Sequence, residues 1–319
     1  MRRRLVAVAA CVVASLPVSA AWPQARNESA QSPCADVFRE TLWTAAPMAG
    51  PGSDSDPWIR RAMTQFRFHR RDDAVAKLTS LDARLRGEYG RELPDEKRTA
   101  LLAALGALRE CFVRSEPAPL ATATFEVFGP SAPDRRPPAG PGVLVLVGDI
   151  IVGRTTSDGT LRLRVPSGPI EVRAEIHGES GAAGDAQADL APGASGTVAI
   201  VLSEGSHPVY QTELVLQEAV DGAVPVSSGS FTLQFRDNGG AVAIDRLIEV
   251  ERLDADFREQ EFLTERFRAA GGRIVARDAP GLLRTLPKNS WIYLSVTGRD
   301  ATAVRRSNVI RLRVTVPPA

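Results

Sequence analysis

Apolar residues recur along this chain at two different periods, and the change from one to the other falls near residue 116. Before it the spacing is helical. Val37, Phe38 and Leu42 share a face in "PCADVFRETLW", and Ile59, Ala62, Met63 and Phe66 share one in "WIRRAMTQFRF". Val75, Leu78, Leu81 and Leu85 make a third stripe, and Leu101, Leu105, Leu108 and Phe112 a fourth. Residues three, four and seven apart lie on one side of an α-helix, so each stripe predicts an amphipathic helix with one face in a core. The expected starts agree with this. Asp56 can cap the second helix with Pro57 in its first turn, Asp72 and Asp73 open the third, and Pro94, Asp95 and Glu96 open the fourth. First turns carry spare N–H groups and the positive end of the helix dipole. A helical domain over residues 34–115 follows.

From the proline-punctuated stretch "SEPAPLATATF" onward the period becomes two. "TLRLRV" sends Leu161, Leu163 and Val165 one way and Arg162 and Arg164 the other, and "IEVRAEI" alternates through Ile170, Val172, Ala174 and Ile176. "VLVLVGDIIVG" gives two short apolar strands around Gly148 and Asp149, "DAQADL" and "GTVAIVL" give two more, and Gly159 supplies the positive φ of a tight "SDG" turn. Short strands, close turns and one oily face predict a β-sandwich over 120–204. After residue 207 five more alternating segments follow: "QTELVLQE", "SFTLQFRD", "RLIEVERL", "SWIYLSVTG" and "NVIRLRVTV". Among them "DADFREQEFLTERFRAAGG" reads as one charged helix stopped by Gly271 and Gly272. The fold class expected is therefore multidomain, α plus all-β: an N-terminal disulfide-linked helical bundle followed by two β-sandwiches.

The middle segment, "VGDIIVGRTTSDGTLRLRVPSGPIEVRAEIHG", resembles the carboxypeptidase regulatory-like, or transthyretin-like, domain family. The resemblance rests on Gly153, on Thr155 or Thr156, on the Asp158–Gly159 turn, on the strand Leu161 to Val165, on the Ser167–Gly168 turn and on the strand from Ile170 to Ala174. Ile170 and Leu161 stand where the family usually has aromatics, and related sandwich families stay open. The resemblance implies a seven-stranded sandwich that serves as a structural or binding accessory, with no catalytic residues of its own. Residues 207–319 resemble, through strand spacing and terminal position, an immunoglobulin-like sandwich of the kind found in tandem on bacterial exported proteins, here with a helical insertion.

Composition adds a location. "MRRRLVAVAACVVASLPVSAAW" places three arginines before an apolar run from Leu5 to about Leu16, with Val18 and Ala20 at the usual minus-three and minus-one positions. That predicts a signal peptide over 1–20, cleaved near Ala20, with a flexible mature start over 21–33. The run is shorter than the roughly 20 residues that a spanning helix needs. The expected localisation is periplasmic or secreted. The chain carries 39 basic and 38 acidic residues, and three of the arginines leave with the leader, so no basic field for nucleic acid is expected. Cys11 leaves too. An even pair, Cys34 and Cys111, remains for one disulfide in an oxidising compartment.

Candidate chemistry is sparse. His69, His177 and His207 stand far apart, without the spacing of a zinc site. His69 reads as a solvated or capping residue, His177 as a turn residue, and His207 as part of a linker. Ser227 to Ser230, "SSGS", reads as a polar turn, and Asp237 to Gly240, "DNGG", as a hairpin turn. Asp158 and Asp237 are the places where a loop calcium would be sought. Of Trp291 and Tyr293 against Ile292 and Leu294, one pair belongs to a core. Arg162, Arg164, Glu171 and Arg173 read as one polar sheet face able to meet an acidic glycan. No catalytic, metal-ligating or cofactor-binding residue is assigned, and no cofactor. The expected function is an exported, non-enzymatic binding or scaffolding protein whose partner is an envelope protein or glycan. The alternative is a secreted hydrolase or an accessory subunit of a secreted enzyme complex.

Overall fold

In a computed structural model the described residues are 33–45, 55–87, 89–129, 137–148, 150–176, 182–204, 209–237, 240–302 and 304–316. The expected leader, its cleavage site near Ala20, His177 and His207 lie outside them.

Four helices open the described chain: α1 (Ala35–Ala45), α2 (Ser55–Arg67), α3 (Arg71–Arg86) and α4 (Asp95–Arg114). Their stripes meet in one core, in which Phe38, Leu42, Ile59, Phe66, Leu78, Leu85, Leu101 and Phe112 are all buried. Phe66 stacks on Phe112 with ring centroids 4.5 Å apart. Cys34 and Cys111 are bonded, with their Cα atoms 5.9 Å apart, so the start of α1 is stapled to the last turns of α4. Helix α2 begins at Ser55, which places Asp56 inside its first turn, 3.0 Å from Arg60, rather than before it as a cap.

Eight strands follow: β1 (Ala121–Phe128), β2 (Leu144–Val147), β3 (Ile150–Arg154), β4 (Thr160–Val165), β5 (Gly168–Ile176), β6 (Ala182–Leu190), β7 (Ser195–Val201) and β8 (Ser203–Glu204). They form one sheet in the order β4-β1-β7 and another in the order β3-β2-β5-β6-β8. In β1 the inward positions are Ala121, Ala123, Phe125 and Val127, the every-second-residue pattern of a half-buried strand. These share one core with Val145, Val147, Ile150, Val172 and Ala174 of the other sheet, an arrangement consistent with a sandwich. Gly159 takes φ +75° in the turn before β4, and a Cβ there would stand 2.9 Å from the Val127 carbonyl oxygen.

The last part contains β9 (Val209–Leu216), β10 (Ala223–Pro225), β11 (Thr232–Asp237), β12 (Gly240–Val242), β13 (Arg246–Leu253), β14 (Glu259–Phe262), β15 (Phe267–Ala270), β16 (Arg273–Ala276), α5 (Ala279–Thr285), β17 (Trp291–Arg299), β18 (Val304–Ser307) and β19 (Ile310–Thr315). All five expected strands are among them. Phe231, Leu233, Phe235, Val250, Ile292, Leu294 and Val314 gather in its core. The expected helix over "DADFREQEFLTERFRAAGG" is not formed. The Asp254 carboxylate instead accepts the backbone N–H groups of Asp256 and Arg258, both at 2.9 Å, in a tight turn with Phe257 at φ +63°. Strand β14 then pairs back onto β13, and Gly271 and Gly272, at φ +57° and +74°, link β15 to β16. The segment is rich in good helix formers, but propensities of a few tenths of a kcal/mol per residue yield to tertiary contacts. Glu259 is drawn into the interior as part of a strand. The helix of this part is α5, capped by Asp278, whose carboxylate accepts from the Gly281 N–H at 2.9 Å.

A candidate binding groove and the charged junction beneath it

Helix α2 is buried on more than its oily stripe. Arg61 and Gln65, four residues apart and so on one face, are also buried. That face meets the far end of the chain. The Arg61 guanidinium, with its side chain 1% exposed, is within hydrogen-bond reach of Glu249 at 2.5 Å and pairs with Glu251 and Glu259 as well. Gln65 donates to Glu259 Oε1 at 2.7 Å, and Arg70 lies 3.3 Å from the same oxygen. Lys77 of α3 is buried beside them, 5.6 Å from the centre of the Trp58 ring. Nearby, Glu175 of β5 and Arg306 of β18, both buried, approach to 3.8 Å. Four carboxylates thus face four cationic groups where all three parts of the chain meet.

The electrostatics follow from that balance. Burial alone would raise the pKa of Glu259, but Arg61, Lys77 and Arg70 outweigh it and hold the carboxylate well below the usual range. Arg61 has its charge opposed by burial and restored by Glu249 and Glu259, so its pKa rises. Lys77 goes the other way. Burial, and then the neighbouring Arg61, push its ammonium down to about 7 against the pull of Glu249 and Glu259. Desolvating each ion costs several kcal/mol, which the mutual attraction of these acids and bases must offset.

Helix α2 holds the middle part too. Arg67 donates to the carbonyl oxygens of Ser167 and Pro169 at 2.8 and 2.7 Å. Phe68 packs against the middle core. His69, at φ +63°, ends this segment, and its Nε2–H donates to the Ala118 carbonyl at 2.9 Å.

With both β parts set on one helix, a groove runs between them. It consists of two adjoining depressions of about 770 and 640 Å³ that share Arg162 and Arg258. One wall comes from β3 and β4, and the other from the turn at 254–258 and the start of β14. Arg154 crosses part of it, donating to the Ala255 carbonyl at 3.0 Å with its guanidinium 4.5 Å from the centre of the Phe257 ring. Arg70, Asp73 and Glu259 close one end. Both Glu259 oxygens are already engaged by Arg61, Gln65 and Arg70, so this carboxylate works as an anchor at the groove's edge.

The remaining expected sites fall out as follows. Arg162 and Arg164 lie on β4, in a different sheet from Glu171 and Arg173 on β5, so the four do not form one face. Arg173 pairs instead with Asp185 across the β5–β6 ladder at 2.9 Å. Asp158 serves its own turn: its Oδ1 accepts from the Thr156 and Thr160 hydroxyls and from the Thr160 N–H, which lowers its pKa. Asp237 faces Arg305 at 3.2 Å and pairs in register with Gly240, as a hairpin requires. Ser228 and Ser230 bond to each other within a turn. Ile292 and Leu294 are the core pair, while Trp291 is 43% exposed with Arg311 and Arg313 over its ring at 4.1 and 5.4 Å. Among the described residues, no three His, Cys, Asp or Glu side chains converge as a metal site, and no helix is long and apolar enough to cross a membrane.

No family model and no curated protein matches the sequence. Solved structures align at low similarity. The Bacillus anthracis TIE protein aligns over 63% of this chain at 11% identity and a TM-score of 0.22, and the chain spans about a third of it, 32%. A DUF3823 family protein of Parabacteroides merdae aligns over 61% at 14% identity and a TM-score of 0.21, covered in full. A carbohydrate-binding candidate from Bacteroides uniformis aligns over 61% at 10% identity and a TM-score of 0.23, also covered in full. At those scores the alignments describe a distant likeness among β-rich proteins and carry no functional argument.

Proposed function

We propose that this chain is an exported, non-enzymatic binding or scaffolding protein of the bacterial cell envelope. On this reading the signal-like start directs it to the periplasm or beyond. The middle part is a transthyretin-like module and the last part an immunoglobulin-like one, and the two act as opposite walls of a single ligand groove. One observation carries the proposal: the groove between β3–β4 and the 254–258 turn has both walls tied to α2, the last part through the buried junction at Arg61 and the middle part through Arg67. A buried ion network contributes less stability than well-packed hydrocarbon of the same volume, so its use lies in fixing one geometry. Fixed walls suit recognition, because a preorganised site loses little freedom on binding.

The test is a screen of the mature chain against glycan arrays and fractionated envelope material, run beside assays for ester, peptide and glycoside hydrolysis. Saturable binding to an envelope component with no turnover is the expected result. Turnover above the buffer rate that scales with protein concentration and survives repurification would replace this reading with the hydrolase alternative.

A further inference from the structure

We infer that the groove is a site for a linear acidic glycan, one carrying a carboxylate on its sugar units, held by Arg162 and Arg164. The inference rests on the binding-protein reading and names its ligand. Both arginines are exposed on β4, and among the described residues neither guanidinium has an acidic partner. Residues two apart on a strand point to the same side, about 7 Å apart. Each guanidinium is a planar fork that matches a carboxylate through two parallel N–H···O bonds. Arg162 belongs to both depressions, so an occupant that engages it is led along the groove in either direction rather than into a closed pocket.

The choice of a glycan over other polyanions comes from what shares a depression with Arg162. Asp256, with an exposed carboxylate 3.6 Å from Arg258, faces the same groove. A uniform polyanion such as a polyglutamate or a polynucleotide meets repulsion there. A uronate-bearing sugar chain brings hydroxyls that donate to Asp256 and carboxylates that meet Arg162 and Arg164. The hydroxyls of Thr156 and Thr160 line the same wall. The aromatics at these walls are already engaged: Phe68 packs on the middle core, and the Phe257 ring is met by the Arg154 guanidinium and by Tyr293, so neither is a free platform of the kind on which single-stranded nucleic acid stacks.

The experiment is calorimetric titration of the mature chain with an oligogalacturonate, a neutral oligosaccharide of equal length, a polyglutamate and an oligothymidylate, at low and at high ionic strength. The oligogalacturonate is expected to bind, more weakly as salt rises, and the neutral sugar not to bind. The Arg162→Gln/Arg164→Gln variant should lose about tenfold or more in affinity, since each change removes a charge-assisted pair, and should keep its melting temperature. Arg114→Gln, on the exposed face of α4, should bind like the parent protein. No binding of the uronate oligomer, equal binding by the double variant, or equal affinity for polyglutamate or oligothymidylate would each overturn the assignment. Release of new reducing ends from the oligomer would instead sink the non-enzymatic reading and leave the site standing.

Discussion

Replacing Arg61 with methionine tests the junction most directly. The side chain is 1% exposed and faces Glu249, Glu251 and Glu259, while Arg70 and Lys77 remain to compensate. Removing one partner of a buried pair costs about 3–5 kcal/mol, because the other partner is left charged and desolvated. That is a large part of the roughly 5–15 kcal/mol that holds a folded domain. The loss should depend on pH with a definite sign. In the parent protein Glu259 has a folded pKa below its unfolded one, so its contribution is present above about pH 4.5 and is lost as pH falls below that. Without Arg61, the burial that raises the Glu259 pKa is opposed only by Lys77 and Arg70, so its folded pKa moves up and the stability it contributes above about pH 4.5 shrinks. The deficit is therefore largest near neutrality and shrinks on acidification. Urea unfolding of parent and variant, followed by the fluorescence of buried Trp58 and by far-ultraviolet dichroism, measures it. In the variant the two probes should separate, because α2 then binds the sheets only through Gln65 and Arg67. Changing Glu249, Glu251 and Glu259 to Gln together in the Arg61→Met background should recover part of the loss. A variant within about 1 kcal/mol of the parent, or a deficit that does not change with pH, would refute the account of the junction.

Three further outcomes follow from the same structure. Parent stability should rise with pH by about 1.4 kcal/mol per unit between about pH 7.5 and 10, because folding pushes the Lys77 ammonium below its unfolded pKa; Lys77→Met should flatten that slope in the same unfolding series. Cys111→Ser should cost about 4 kcal/mol by loop entropy, for a bridge spanning 77 positions, and a thermal melt in reductant should show the same loss in the parent and no further loss in the variant. Gly159→Ala should destabilise by at least about 1 kcal/mol, since its Cβ would crowd the Val127 carbonyl at positive φ, whereas Gly193→Ala, with positive φ but open space around it, should cost less.

The apolar scaffolding was legible because it is local. Leu101, Leu105, Leu108 and Phe112 announce α4, the alternation of Ile170, Val172 and Ala174 announces β5, and the even pair of cysteines left after the expected leader announces its bridge. The junction was not legible, because its partners are far apart in sequence. Arg61 and Glu259 are separated by 198 positions, and Arg61 and Gln65 stand outside the oily stripe that marks the helix, so no local pattern singles them out as buried. One signal was available: "RLIEVERL" puts Glu249 and Glu251 on one side of a strand that is buried along most of its length. The charged segment after it misled for the same reason, since nothing local says that Glu259 has a buried arginine to meet.

These two kinds of information meet in α2. Its stripe of Ile59, Ala62, Met63 and Phe66 faces the helical core, while Arg61 and Gln65 reach β13 and β14, and Arg67 reaches the turn into β5. The walls of the groove therefore do not touch the disulfide, yet their spacing depends on the helix that the disulfide-closed bundle holds in place. A protein that needed three independent modules would gain nothing from burying four acids and three bases, Arg61, Lys77 and Arg306, at their meeting point, where hydrocarbon would often pack as stably or more so. A protein that binds between two sheets, with Arg162 on one wall and Asp256 on the other, does gain, because a misaligned docking would leave buried charges without their partners and cost several kcal/mol for each.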